Sequence, residues 1–111
     1  MTRLHFLVLT LLTASAMTAS ARAAEPQAQL VIKNHQFTPA ELKVPAGQRV
    51  KLLVHNQDLT PEEFESHDLN REKVIPAGST ATIFIGPLKP GRYSFIGEFH
   101  PDSAQGLVVA E

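Results

Sequence analysis

Cysteine and tryptophan are absent from this chain, and its two methionines, Met1 and Met17, both lie near the start. Without cysteine there is no disulfide, no thiolate nucleophile, no iron–sulfur cluster and no Cys-ligated zinc. Charge of one sign is also missing: 10 Lys+Arg stand against 11 Asp+Glu. That balance argues against nucleic acid or an anionic membrane surface, both of which call for a basic patch. No apolar run approaches the roughly 20 residues that a membrane-spanning helix needs. The 111 residues allow one domain, whose chemistry must come from histidine and carboxylates.

Residues 1–23 read as a secretory signal peptide. Arg3 gives the positive start, Leu4 to Leu12 the short apolar run, and Ala21-Arg22-Ala23 a small-residue cleavage site. Removal of Arg3 and Arg22 would shift the formal charge from −1 to −3. Residues 24–111 would then contain no sulfur at all, and the expected destination is the periplasm, with no membrane span in the mature chain.

All six glycines and eight prolines follow Ala23 as punctuation between short alternating segments. Val50, Leu52 and Val54 share one face of a strand and Lys51, Leu53 and His55 the other, so His55 should point outward. Ala81, Ile83 and Ile85 alternate in the same way with Thr80, Thr82 and Phe84. Tyr93, Phe95, Gly97 and Phe99 alternate with Ser94, Ile96 and Glu98. Leu30 to Ile32, Leu42 to Val44 and Leu107 to Ala110 are further candidates, and about seven strands are expected in all. The expected fold is an all-β Greek-key sandwich. Val44-Pro45-Ala46-Gly47 and Ile75-Pro76-Ala77-Gly78 each precede a strand and suggest two equivalent corners. Tyr93 is expected to anchor another corner through its hydroxyl. Thr60 to Val74, rich in glutamate, reads as a polar insert with room for a helical turn, the kind of segment in which function often sits.

Four groups of residues carry a family resemblance. They are Phe37-Thr38-Pro39 with Val44-Pro45-Ala46-Gly47; Val50 to Asn56 with Asp58 beyond; Ile75-Pro76-Ala77-Gly78; and Pro90-Gly91-Arg92-Tyr93-Ser94-Phe95-Ile96-Gly97-Glu98-Phe99-His100 with Ala104-Gln105-Gly106. In that order they resemble the cupredoxins over nearly all of residues 24–111. The family pattern has a copper-binding Cys where this chain has Gly97 and an axial Met where it has Ala104. A blue-copper site needs a thiolate with two imidazoles and a weak axial ligand. Blue-copper electron transfer is therefore excluded by composition.

The runs Glu63-Phe64-Glu65, Glu72-Lys73-Val74-Ile75-Pro76-Ala77-Gly78 and Gly97-Glu98-Phe99-His100-Pro101 resemble the stand-alone periplasmic cupredoxin-like components of bacterial ferrous-iron uptake systems. The resemblance implies a periplasmic iron-binding protein and an inner-membrane iron permease as partners, and it places metal ligation near Glu63 and His100. On the residues themselves, imidazole suits copper and iron, and His100 lies in a loop just before Pro101. Glu98, two residues before it, should share its face if the strand continues. Glu63 and Glu65 share a face in extended chain, with Glu62 turned away; a cation would relieve the repulsion between apposed carboxylates. His67 joins them if that segment is extended. His35 stands near the place where the iron-uptake branch often has another ligand, and Asp102 reads as a turn residue.

The expected site is thus Glu63, Glu98 and His100, with His35, Glu65 and His67, holding a copper or iron ion. The leading expectation is assistance to Fe(II) oxidation and handover in iron uptake. Two alternatives stay open: a copper or iron carrier without turnover, and a metal-free interaction module of the same fold. Loss of two of the four family ligands also raises the expectation of a homodimer in which a second chain completes the site. A hydrolase is disfavoured, because the sequence has no G-x-S-x-G elbow.

Overall fold

The computed structural model describes residues 2–3, 10–17 and 25–111. The cleavage site expected at residues 21–23 lies outside them. Nine strands follow in order: β1 (Gln27–Lys33), β2 (Gln36–Thr38), β3 (Glu41–Val44), β4 (Val50–Asn56), β5 (Glu62–Ser66), β6 (Arg71–Ile75), β7 (Thr80–Ile85), β8 (Gly91–Gly97) and β9 (Gln105–Ala110). They form two sheets, ordered β2-β1-β4-β7 and β3-β9-β8-β5-β6. The pairs β1–β4 and β3–β9 are parallel and the rest antiparallel. This is the Greek-key sandwich the alternation pointed to.

Period-2 patterning explains which side chains meet between the sheets. Val50, Leu52, Val54 and Asn56 of β4 are buried, as are Ala81, Ile83 and Ile85 of β7. From the other sheet, Phe64 and Phe95 stack with centroids 5.1 Å apart. Phe37 of β2 meets Phe95 edge-on at 4.9 Å. Aromatic pairs at such distances and angles contribute about 0.5–1.5 kcal/mol each beyond their area burial. Gly47 and Gly78, at matching places in the two Pro-Ala-Gly turns, both have positive φ (76° and 70°), a conformation that glycine adopts without steric cost. These are the two equivalent corners. Tyr93 donates its hydroxyl to the Lys89 carbonyl at 2.7 Å and anchors its corner as expected.

The polar insert is the main correction. Thr60 to Val74 holds no helical turn; it forms the β5–β6 hairpin, and with β2 it raises the strand count to nine. The inward positions of β5 are Glu62, Phe64 and Ser66. Two polar residues on the buried face hide the alternation from a reading based on hydrophobicity. Both are satisfied inside: the Ser66 hydroxyl donates to the Ser94 carbonyl at 2.6 Å and accepts the Leu69 N–H at 3.0 Å.

Phe95 also presses on Gly106, where an added Cβ would lie 2.3 Å from Phe95 Cζ and 3.1 Å from the Ala40 carbonyl oxygen. Gly106→Ala is therefore expected to lower unfolding stability by about 1–3 kcal/mol, the usual range for overpacking. A shift of the urea midpoint at constant slope is the measurement that checks it.

Candidate metal centre

His35 lies in the two-residue turn between β1 and β2. Its register partners Lys33 and Gln36 close the hairpin, and both Asn34 (φ 51°) and His35 (φ 56°) are left-handed. Such a turn favours Asn-Gly, so a histidine at its second position breaks the local preference. Residues that do so gather at functional sites. Asp58, just beyond β4, holds the turn: its carboxylate accepts the N–H of Asn34 at 2.7 Å and of His35 at 3.0 Å. These bonds, above all the one from His35, keep the Asp58 pKa below the usual range despite desolvation.

His100 approaches from the β8–β9 loop. Its ring stacks on that of His35, with centroids 3.5 Å apart and planes 15° from parallel. Glu62 completes the group from the buried face of β5. Its Oε2 lies 2.7 Å from His100 Nδ1, and its Oε1 accepts the N–H of Glu63 and of Phe99, each at 2.9 Å. Donor atoms of His35, Glu62 and His100 all lie within 4.8 Å of one another, the one such group among the described residues.

Gly97 and Ala104 explain how Glu62 reaches this place. A Cβ built on Gly97 would stand 2.7 Å from Glu62 Cδ, 2.9 Å from its Oε1 and 2.6 Å from the Ala104 Cβ. The carboxylate therefore takes up the space a side chain at position 97 would need. A type 1 copper set does not fit these residues, since thiolate and thioether are both missing and the thiolate's volume is filled. Two imidazoles and a carboxylate do fit Cu(II) or Fe(II), which accept nitrogen and oxygen donors.

The six residues expected from sequence fall into two groups. His35 and His100 meet as described, and their third partner is Glu62. The reading that turned Glu62 away from the site is corrected: Glu62 faces the interior and Glu63 and Glu65 the outer face. Glu98 does not share a strand face with His100, because β8 ends at Gly97 and a turn follows in which His100 N–H returns to the Gly97 carbonyl at 3.0 Å. Glu98 instead joins Glu63, Glu65 and Glu72. Glu65 pairs with Glu72 across the β5–β6 ladder. A hydrogen bond donated to Glu72, desolvation and the charges of Glu72, Glu65 and Glu98 push Glu63 up to about 7. Glu65 is also raised, chiefly by its hydrogen bond with Glu98, while nearby His67 opposes that shift. His67 and Glu65 line one shallow cleft beside Glu72 and another beside Glu98. Asp102 lies exposed in a turn, and His55 is half-buried on the outer face of β4.

Two predictions follow from this geometry. A carboxyl group whose folded pKa is raised stabilises the fold fully below its ordinary pKa of 4.5, and that contribution is lost as pH rises through about 7. Glu63→Gln should therefore melt progressively higher than wild type as pH climbs through this window, with no gain below it, in thermal scans across pH. Glu62→Ala would strand the N–H groups of Glu63 and Phe99 and release His100. It is expected to cost about 2–3 kcal/mol, the scale of hydrogen bonds to a charged group, in chemical denaturation.

Comparison with known proteins agrees with this architecture. Residues 4–110 match the Cupredoxin-like domain family. Over 83 residues the chain is 45% identical to an uncharacterised protein of Rickettsia prowazekii (strain Madrid E), covering 75% of this chain and 66% of that one. The chain thus spans just under two thirds of that relative's length. Among solved structures, the fold is similar to auracyanin A, a "blue" copper protein from Chloroflexus aurantiacus (TM-score 0.67, 15% identity, 79% of this chain and 100% of that one). It is also similar to a purple cupredoxin from Nitrosopumilus maritimus (TM-score 0.60, 24% identity, 76% and 99%). No helix among the described residues is long and apolar enough to cross a membrane. With nearly its whole length matched and the two-sheet fold in place, the chain belongs to the cupredoxin-like domain family.

Proposed function

We propose that this protein binds a Cu(II) or Fe(II) ion through His35, Glu62 and His100, and that it serves ferrous-iron uptake in the periplasm by assisting the oxidation and handover of Fe(II). The observation that carries the metal reading is the convergence of two half-exposed imidazoles on a buried carboxylate within 4.8 Å. The donor chemistry supports both ions, since copper leads in affinity for nitrogen and oxygen donors and availability can favour iron. A copper ion held there would supply a Lewis-acid or one-electron centre. With iron as the substrate, the negative charge of Glu62 would favour Fe(III) over Fe(II), the electron going to an external one-electron oxidant, a Cu(II) centre or dioxygen, that is reduced in step. The iron-uptake role rests on the resemblance of Glu63-Phe64-Glu65, Glu72 to Gly78 and Gly97 to Pro101 to the periplasmic components of such systems. The secretory reading of residues 1–23 supports the compartment. Partners on this reading are the periplasmic iron-binding protein and the inner-membrane permease, with a homodimer as the alternative source of further ligands. Glu63, Glu65, Glu98 and His67 remain candidates for a second point of contact with the ion on the outer face.

Titration of residues 24–111 with Cu(II), and anaerobically with Fe(II), tests this by calorimetry and copper EPR. One saturable site with nitrogen couplings is expected, weakened on the order of 100-fold or more in His100→Ala, since even outer-shell losses cost about 10–100-fold. Binding no tighter than about millimolar, roughly 4 kcal/mol, would overturn the metal reading. Parallel titration of Glu63→Ala separates the outer cluster from the inner one.

A further inference from the structure

Behind His35 lies a chain of hydrogen bonds that ends in the core. Asn56, fully buried, donates from Nδ2 to the carbonyls of Thr60 at 2.9 Å and Ile75 at 3.1 Å. Its Oδ1 accepts the Asp58 N–H at 3.0 Å. Asp58, with its side chain 12% exposed, is thereby aimed at the β1–β2 turn, where it takes the N–H groups of Asn34 and His35. The same carboxylate stands 3.4 Å from His35 Nδ1, at ion-pair distance. A carboxylate beside one ring nitrogen favours the proton there and leaves the other nitrogen free as a lone-pair donor.

Glu62 stands closer to His100, its carboxylate hydrogen-bonded to Nδ1 at 2.7 Å. Each ring of the stacked pair thus has an anion at Nδ1. The two anions differ in placement: Glu62 lies among the donor atoms that converge, and Asp58 is outside that group.

We infer that Asp58 is the positioning residue of His35: it fixes the left-handed turn through two backbone N–H groups, and it holds the His35 proton on Nδ1 so that Nε2 is the nitrogen offered to a metal. This deepens the proposed metal site, on which its binding consequence rests. It also accounts for a histidine in a turn that favours Asn-Gly. The Asp58 bonds hold the left-handed backbone, so the ring's position is set by the turn.

The test begins with the metal-free wild-type protein. Two-dimensional ¹⁵N–¹H spectra at about pH 8, where an ordinary imidazole is neutral, report the tautomer of each histidine. His35 is expected to carry its proton on Nδ1. Asp58→Asn keeps an oxygen for the turn and removes the charge; Asp58→Ser, another turn-capping side chain, is the second variant. Either should shift His35 toward the Nε2–H tautomer and weaken Cu(II) binding about 10–100-fold, the usual cost of losing such a partner. A wild-type His35 protonated on Nε2 overturns the inference, as does a folded variant with wild-type Cu(II) affinity. The tautomer readout needs no metal, so it decides the role of Asp58 even where the metal reading itself falls.

Discussion

A buried carboxylate must be neutralised or fully hydrogen-bonded, and Glu62 governs this end of the sandwich because of that requirement. Its side chain is 2% exposed, and three donors surround it: the Glu63 and Phe99 N–H groups and the His100 ring. These bonds fix the path of the β8–β9 loop, since Phe99 and His100 can donate together only while that loop lies folded against β5. Gly97 and Ala104 follow from the same constraint. Gly97 must be small, because a Cβ there would meet both the carboxylate and the Cβ of Ala104. The absence of cysteine and the presence of Glu62 are thus one structural fact seen from two strands.

Much of the fold was legible because its inward residues are apolar at every second position. β4 and β7 follow that pattern without exception until Asn56, and the two Pro-Ala-Gly turns mark their starts. The hairpin β5–β6 was hidden for the opposite reason. Its buried face reads Glu, Phe, Ser, and Arg71 to Val74 of β6 are all exposed, so neither strand offers a hydrophobic period. The signal that could have found it was the alternation Glu62–Phe64–Ser66 taken around the single aromatic residue as its inward anchor.

The candidate site was legible in part. His35 and His100 came from motif position, and their stacking bears on both. Glu62 was missed because extended-chain reasoning separates neighbours into faces without saying which face is interior. That choice is made by Phe64, which can only point into the core and takes Glu62 with it. Glu98 was placed on the wrong side because the alternation of β8 was carried past Gly97, where the backbone turns. The electrostatic consequence is a division of labour between two acidic sets. One is internal and matched by donors; the other is external and crowded, where hydrogen bonds between carboxyl groups, then desolvation and like charges, raise the pKa of Glu63 and Glu65.

Five residues of β5 therefore separate two chemically different surfaces, and what keeps them apart is parity. Sliding the strand by one residue would send Glu63 and Glu65 inward and Glu62, Phe64 and Ser66 outward. A single-residue insertion or deletion beside Pro61 would therefore be taken up in the loop, because Phe64 holds its own face, and Glu62 with it, in the core.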